Sequence, residues 1–171
     1  MLGVLLGLAY SNAGEWLVHK YILHGLGRKK TSVWSYHWHE HHRNARKLGH
    51  IDPDYERPVF GWNAQGKEAL GLAVAAVAHL PLFPVMPLFT ATVEYSLYRY
   101  YRVHKRAHQD PGWARENLAW HYDHHMGPNQ DANWCVTWPW FDWVMGTRKK
   151  FAGTEREKPA KRAARAAAVE G

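Results

Sequence analysis

The chain has 171 residues, 46% of them hydrophobic, with 13 histidines, 10 tryptophans and a formal net charge of +7. That length holds one domain with a real core and is too short for two comfortable ones. The basic balance admits nucleic acid, an anionic membrane or plain solubility. Nucleic acid is set aside, because no nucleic-acid module is recognisable and the aromatics do not alternate with Lys and Arg as a single-strand platform requires.

Met1 to about Leu23 reads as one helix, apolar at first and then mixed, ending at the glycines of HGLGRKK. It is just long enough to cross a hydrocarbon core, given roughly 20 residues for ~30 Å. The opening MLGVLLGLAY lacks the basic start of a secretory signal. Residues 31–65 are polar and rich in His, Arg, Asp and Pro. A second apolar region at 67–101 carries prolines at 81, 84 and 87, which break a single helix. It reads as a helical hairpin with arms at about 66–80 and 85–108, each short for a full crossing, which leaves a tilted or shallow hairpin open. Basic residues from Arg28 to Lys47 and from Arg99 to Arg106 lie at the ends that carry histidines. By the positive-inside rule those ends, and residues 109–150, face the cytoplasm. The mean hydropathy of −0.52 leaves only part of the chain for lipid. The expectation is an all-α integral membrane protein, one domain over 1–150 with a cytoplasmic histidine-rich cap. A basic, Ala-rich tail follows over 151–171, frayed or disordered and weakly drawn to anionic lipid. The single Cys135 has no partner for an intrachain disulfide and reads as a small buried hydrophobe.

The histidines fall into four groups: His19 and His24; His37, His39, His41 and His42; His104 and His108; and His121, His124 and His125. At about 100° per residue, His104 and His108 lie ~40° apart and the last three fall within ~100°, each a compact helical face. His19 and His24 come out ~140° apart, too wide for one metal on a straight helix. In the second group His37 lies ~40° from His41, and His39 ~60° from His42. The angles leave His37 and His39 open, and His37 is carried forward. One histidine pair on a helix is more often solvated than a site. Four such groups point to metal, because close protonated imidazoles repel whereas bound metal holds them neutral. The candidate ligands are His19, His24, His37, His41, His42, His104, His108, His121, His124 and His125. Ten exceed the needs of one zinc and suit two ions with four or five nitrogens each, without proving iron. Glu15, Glu40 and Asp123 are candidates to orient imidazole N–H groups, with Asp110, Asn129, Asp131 and Asn133 as weaker ones. His79 is expected to hydrogen-bond within the hairpin, and His50 to lie beside the site or at the surface. Trp120, Trp134, Trp138, Trp140 and Trp143 are read as anchoring and packing the cap more than lining a groove.

The order EWLVHKYILH, HEHHR, HKRAH, then WHYDHH followed by ANWCVTWPWFDWVMGTR resembles the fatty acid hydroxylase/sterol desaturase superfamily of membrane-bound, histidine-rich di-iron enzymes. The likeness covers most of residues 15–148. Carotene hydroxylases are similar in outline but match the closing run less well. The family pattern HxxHH is broken here, since Trp38 stands three residues before His41, which implies a local bulge or a shifted ligand. The resemblance implies two iron ions (zinc as isolated material), dioxygen as co-substrate, an external electron-transfer protein, and hydroxylation of an unactivated C–H bond in a lipid. Desaturation at the same site is the near rival. A zinc-dependent membrane hydrolase is the rival of another class, disfavoured by the scarcity of Asp and Glu within the clusters. A non-catalytic metal-binding membrane protein is the third.

Overall fold

The computed structural model describes residues 1–157. Among them every regular element is a helix. Helix α1 spans Leu2–Leu17 and runs on without a break as a π-helix over Val18–Leu26. A second π-helical stretch, His37–His42, leads into α2, Arg43–Lys47. Asp52 then caps a 3-10 turn at Pro53–Glu56 by accepting from the Asp54 N–H. Helix α3, Ala64–His79, starts at Asn63, whose side chain accepts from the Gly66 N–H. It stops where Pro81 enters, in the 3-10 turn Leu80–Leu82. Helix α4, Pro87–Gln109, begins with proline at its first turn. Short helices α5 (Pro111–Asn117, capped by Asp110), α6 (Ala119–Met126) and α7 (Trp140–Val144) complete the described chain.

α1 and α3 both pack on α4. The α1–α4 approach is close because Gly7 faces Thr92, where an added Cβ would sit 2.7 Å from the Thr92 Cβ. α1 and α3 make no extensive contact with each other, and an apolar cavity of about 450 Å³ lies between them. The apolar core is small. One cluster joins Tyr100, Ala107, Ala114, Leu118 and Val136; another joins Trp16, Trp134 and the buried Cys135. Of the twelve largest fully buried side chains among the described residues, nine are histidines.

The membrane expectation is overturned. No helix among the described residues is long and apolar enough to cross a bilayer. α1 and α3 have 16 residues each, or ~24 Å at ~1.5 Å per residue, short of the ~30 Å core. The continuation of α1 carries buried His19 and His24 along with Lys20. The 23-residue α4 is long enough, but Glu94, Arg99, Arg102, Lys105 and Arg106 interrupt it. With no crossing, the cytoplasmic sidedness drawn from the basic flanks falls too. The tail expectation is corrected where it can be read: Phe151 is buried, and Glu157 accepts two hydrogen bonds from the Arg115 guanidinium. The rest of the tail, residues 158–171, lies outside the described residues.

Candidate metal centre

Two π-helical stretches bring the first histidines together. An i→i+5 ladder sets residue i+5 nearly above residue i, so His19 and His24 share a face, as do His37 and His42. This removes the wide angle expected for His19 and His24 on an α-helix, and supplies the bulge implied beside Trp38. α4 contributes His104 and His108; α6 contributes His121, His124 and His125. All ten candidates are buried and converge. One set gathers His19, His24, His37, His42 and His124; a second gathers His41, His104, His108 and His125; a third, His50, His108 and His121, shares His108 with the second. The sets adjoin, with the His42 and His125 rings 4.3 Å apart.

Hydrogen bonds to oxygen acceptors decide which nitrogen six of the rings offer. Nδ1 of His19 lies 2.6 Å from the Trp134 carbonyl, that of His124 2.7 Å from the Ala132 carbonyl, and that of His108 2.8 Å from the His50 carbonyl. His42 Nδ1 is 2.8 Å from Gln130 Oε1, His41 Nδ1 2.8 Å from Asp52 Oδ2, and His104 Nδ1 2.5 Å from Glu68 Oε2. An oxygen acceptor takes the Nδ1 proton, so in the neutral ring Nε2 is a bare lone pair. His42 and His124 therefore point two lone pairs at each other across 3.2 Å. The Nε2 atoms of His24 and His42, His19 and His37, and His108 and His121 are each 3.0 Å apart. Six buried histidines, His24, His41, His50, His104, His121 and His125, carry ring nitrogens with no hydrogen-bond partner. Each orphan costs ~1–3 kcal/mol in an ordinary core, so so dense a cluster is not ordinary packing. A cation between the rings satisfies the lone pairs at once. With metal–nitrogen bonds of ~2.1 Å, ligands at a right angle sit ~3.0 Å apart and tetrahedral ones ~3.4 Å. The buried clusters can hold metal, and the three 3.0 Å spacings match the right-angled case.

Electrostatics agree. Burial, with neighbouring imidazole charge second in most of them, pushes ten histidines below their usual range, His19 and His50 to about 4. Neutral imidazole is the form that ligates metal. Burial lifts the Glu68 carboxyl to about 8 although Tyr55 donates to it.

His39 stays out of the cluster, bonding the Arg28 carbonyl through Nε2, which leaves His37 as the converging ring. Of the two places expected for His50, the structure gives the one beside the site: it is fully buried, stacks on His108 at 4.5 Å and 8°, and adopts a left-handed φ of 84°. Such a φ is uncommon for a non-glycine residue. The three carboxylates expected to orient imidazoles bond elsewhere. Glu15 accepts from the Val136 and Thr137 N–H groups and the Thr137 hydroxyl, tying α1 to the closing run, and burial raises its carboxyl to about 7. Glu40 pairs at 3.8 Å with Lys67. Asp123 takes the Ala152 N–H and Arg148. The orienting groups are instead Asp52, Glu68 and Gln130. Of the weaker candidates, Asp110 caps α5, Asn129 accepts from the Asp131 N–H, Asn133 holds Lys149, and Asp131 stands 3.8 Å from His24 Nδ1. A lone carboxylate at the foot of an apolar helix, as in KEALGLAVAAV, is the signal that could have found Glu68. His79 bonds the Ala75 carbonyl in its own helix. Trp134 packs on His19, His24 and His124, while Trp138 and Trp140 stack together.

The cavity between α1, α3 and α4 opens onto this cluster at His19 and Glu68. Its walls are mainly apolar, with Val18, Ile22, Leu23, Leu72, Val93 and Leu97 among them. Of the tryptophans, Trp34 lines it; Trp120, Trp134, Trp138, Trp140 and Trp143 do not. At about 450 Å³ it falls within the ~300–1,000 Å³ of small-molecule sites.

Fold and site together define an all-helical protein, over its described residues, with a buried polyhistidine centre able to hold metal beside an apolar cavity. No family model, curated protein or solved structure matches the chain.

Proposed function

We propose that this chain is a dinuclear iron oxidoreductase that hydroxylates an unactivated C–H bond in the apolar chain of a lipid. One oxygen atom of dioxygen enters the C–H bond and the other leaves as water. An external electron-transfer protein provides two electrons, and two protons complete the balance. The observation that carries the reading is the convergence of buried ring nitrogens reached by an apolar cavity: His42 and His124 turn Nε2 lone pairs on each other at 3.2 Å, and the unpartnered ring nitrogens of six further buried histidines surround them. Spacing near the right-angled value and five nitrogens in one set favour a six-coordinate redox ion over tetrahedral zinc. The resemblance of the histidine motif order to that of fatty acid hydroxylases and sterol desaturases supports the same choice.

Iron held by the two sets would supply dioxygen reduction and hydrogen abstraction, chemistry that no side chain here offers. The protein's own part is positional. Asp52, Glu68 and Gln130 hold the Nδ1 protons of His41, His104 and His42, so those rings keep Nε2 toward the ion. Val18, Ile22 and Leu23 exclude water from the approach and align a chain along α1. Glu15 fastens α1 to the Val136 and Thr137 backbone and so fixes the wall that carries His19.

The test is lipid profiling of cells with and without the full chain, under labelled dioxygen and under anoxia, with metal analysis of the purified protein. A product heavier by one labelled oxygen, and about two irons per chain, is expected. Stoichiometric zinc with oxygen-independent turnover would overturn the proposal.

A further inference from the structure

We infer that the cavity is a channel that takes a straight alkyl chain tail-first and reads a terminal hydroxyl group at Tyr10 and His79. What happens at its inner end rests on the proposed function; what binds in it rests on the cavity alone. Its walls come from α1 with its π-helical continuation, α3 and α4 at three- and four-residue intervals, including Tyr10 and Gly14 of α1, Val18 of the continuation and Ala75 and His79 of α3. From Tyr10 to His19 is nine residues and from Glu68 to His79 eleven, so the two walls measure ~13 Å and ~16 Å at ~1.5 Å per residue. An extended carbon chain advances ~1.25 Å per atom, from ~1.52 Å bonds at ~111°. The span therefore fits roughly ten to thirteen carbons.

Polarity decides the direction. At the outer end Tyr10 is 50% exposed, and its hydroxyl lies 3.0 Å from His79 Nε2. His79 Nδ1 is 2.7 Å from the Ala75 carbonyl and donates to it, so Nε2 accepts the Tyr10 proton. The Tyr10 oxygen is left only as an acceptor. An alcohol can donate to that oxygen; a carboxylate brings acceptors alone and an alkane brings nothing. Further in, Glu15 is held by Val136 and Thr137, Ser96 donates to the Thr92 carbonyl, and Glu68 is bonded through one oxygen to Tyr55 and His104; the rest of the inner wall is mainly apolar. The hydroxyl end stays at the mouth and the tail reaches His19.

The purified full chain is dialysed at pH 8, without oxygen or reductant, against 1-dodecanol, dodecanoate and dodecane below their aggregation limits. Dodecanol is expected to bind more tightly than dodecanoate. Tyr10→Phe should weaken dodecanol about three- to tenfold, the worth of one hydrogen bond, and leave dodecane within about twofold. His79→Phe frees the Tyr10 proton for donation and should raise the dodecanoate-to-dodecanol affinity ratio at least about threefold. Dodecanoate binding as tightly as dodecanol, an unchanged dodecanol affinity in Tyr10→Phe, or no binding of any probe would overturn the inference. Tyr10-dependent binding in a protein that never oxidises a lipid sinks the enzymatic proposal alone. Turnover with Tyr10-independent binding sinks the hydroxyl reading alone.

Discussion

Two glycines of α1 should respond differently to the same substitution, one gaining stability and the other not. Alanine in place of glycine within a helix gains ~0.8–1.0 kcal/mol of intrinsic propensity. At Gly14 an added Cβ meets nothing within 4 Å, because it enters the cavity. Gly14→Ala should therefore stabilise the chain by about 1 kcal/mol, a rise in Tm of roughly 2–4 °C at this size. At Gly7 the same carbon would sit 2.7 Å from Thr92 Cβ and 3.0 Å from the Phe89 carbonyl oxygen. Overpacking costs ~1–3 kcal/mol, which offsets or exceeds the propensity gain, so Gly7→Ala should lower Tm or leave it unmoved. Gly14→Leu completes the series. Its side chain fills the middle of the channel, so stability and metal content should hold while dodecanol binding and lipid oxidation each fall at least about tenfold, comparable to losing a few contacts of a buried alkyl chain. Thermal unfolding by circular dichroism, metal analysis and dialysis read the three effects separately. If Gly14→Ala destabilises as much as Gly7→Ala, that face of α1 is packed and the channel does not exist. If Gly14→Leu keeps full turnover, the substrate travels elsewhere.

Other expectations follow from the centre itself. His42→Ala should cut bound metal to one ion or fewer per chain, because His42 Nε2 faces both His24 and His124, whereas His39→Ala should leave metal content unchanged; equal losses in the two would contradict the observed convergence. Glu68→Gln and Asp52→Asn should each weaken metal affinity ~10–100-fold in chelator competition, and unaltered affinity would show that ring orientation does not depend on them. In the metal-free chain, ten buried histidines have pKa values depressed below the unfolded ~6.5. The unfolded state binds protons that the folded state refuses, so this stability is complete above pH ~6.5 and is lost as pH falls. Between pH ~6.5 and ~5.5 each ring withdraws about 1 kcal/mol, ~10 kcal/mol together, which rivals a whole domain's stability. Glu15 and Glu68, raised to about 7 and about 8, act in the other direction, favouring the fold less as pH climbs through those values. Circular dichroism should show the metal-free chain unfolding in that acid window and the metal-loaded chain surviving to lower pH; a metal-free chain still folded at pH ~5 would be incompatible with so many neutral buried rings.

Local order was legible and long-range order was not. The spacing of His104 and His108, and of His121, His124 and His125, already describes a helical face, and α4 and α6 present those faces. Three prolines mark the turn between α3 and α4, since proline stops a helix by steric exclusion whatever surrounds it. The i→i+5 ladders were out of reach, because no residue preference distinguishes a π-helical stretch from an α-helix; only the mismatch of His19 and His24 with α-helical spacing hinted at one. Asp52, Glu68 and Gln130 reach their imidazoles across 11, 36 and 88 positions of chain, and such pairings leave no periodic trace. His50 was hidden for the same reason, its burial set by α4 and α6 folding over it. The membrane reading failed on a different point. Counting apolar residues measures how much of a segment avoids water but not what covers it: in this chain Leu2, Leu5 and Leu6 of α1 and Leu70, Val74 and Val77 of α3 stay exposed, while the continuation of α1 turns inward to present two imidazoles and lines the cavity with Ile22 and Leu23. The apolar residues that support an apolar substrate are a smaller set, Val18, Ile22, Leu23, Leu72, Val93 and Leu97, which the packing of α1, its continuation, α3 and α4 gathers around the approach to the histidines.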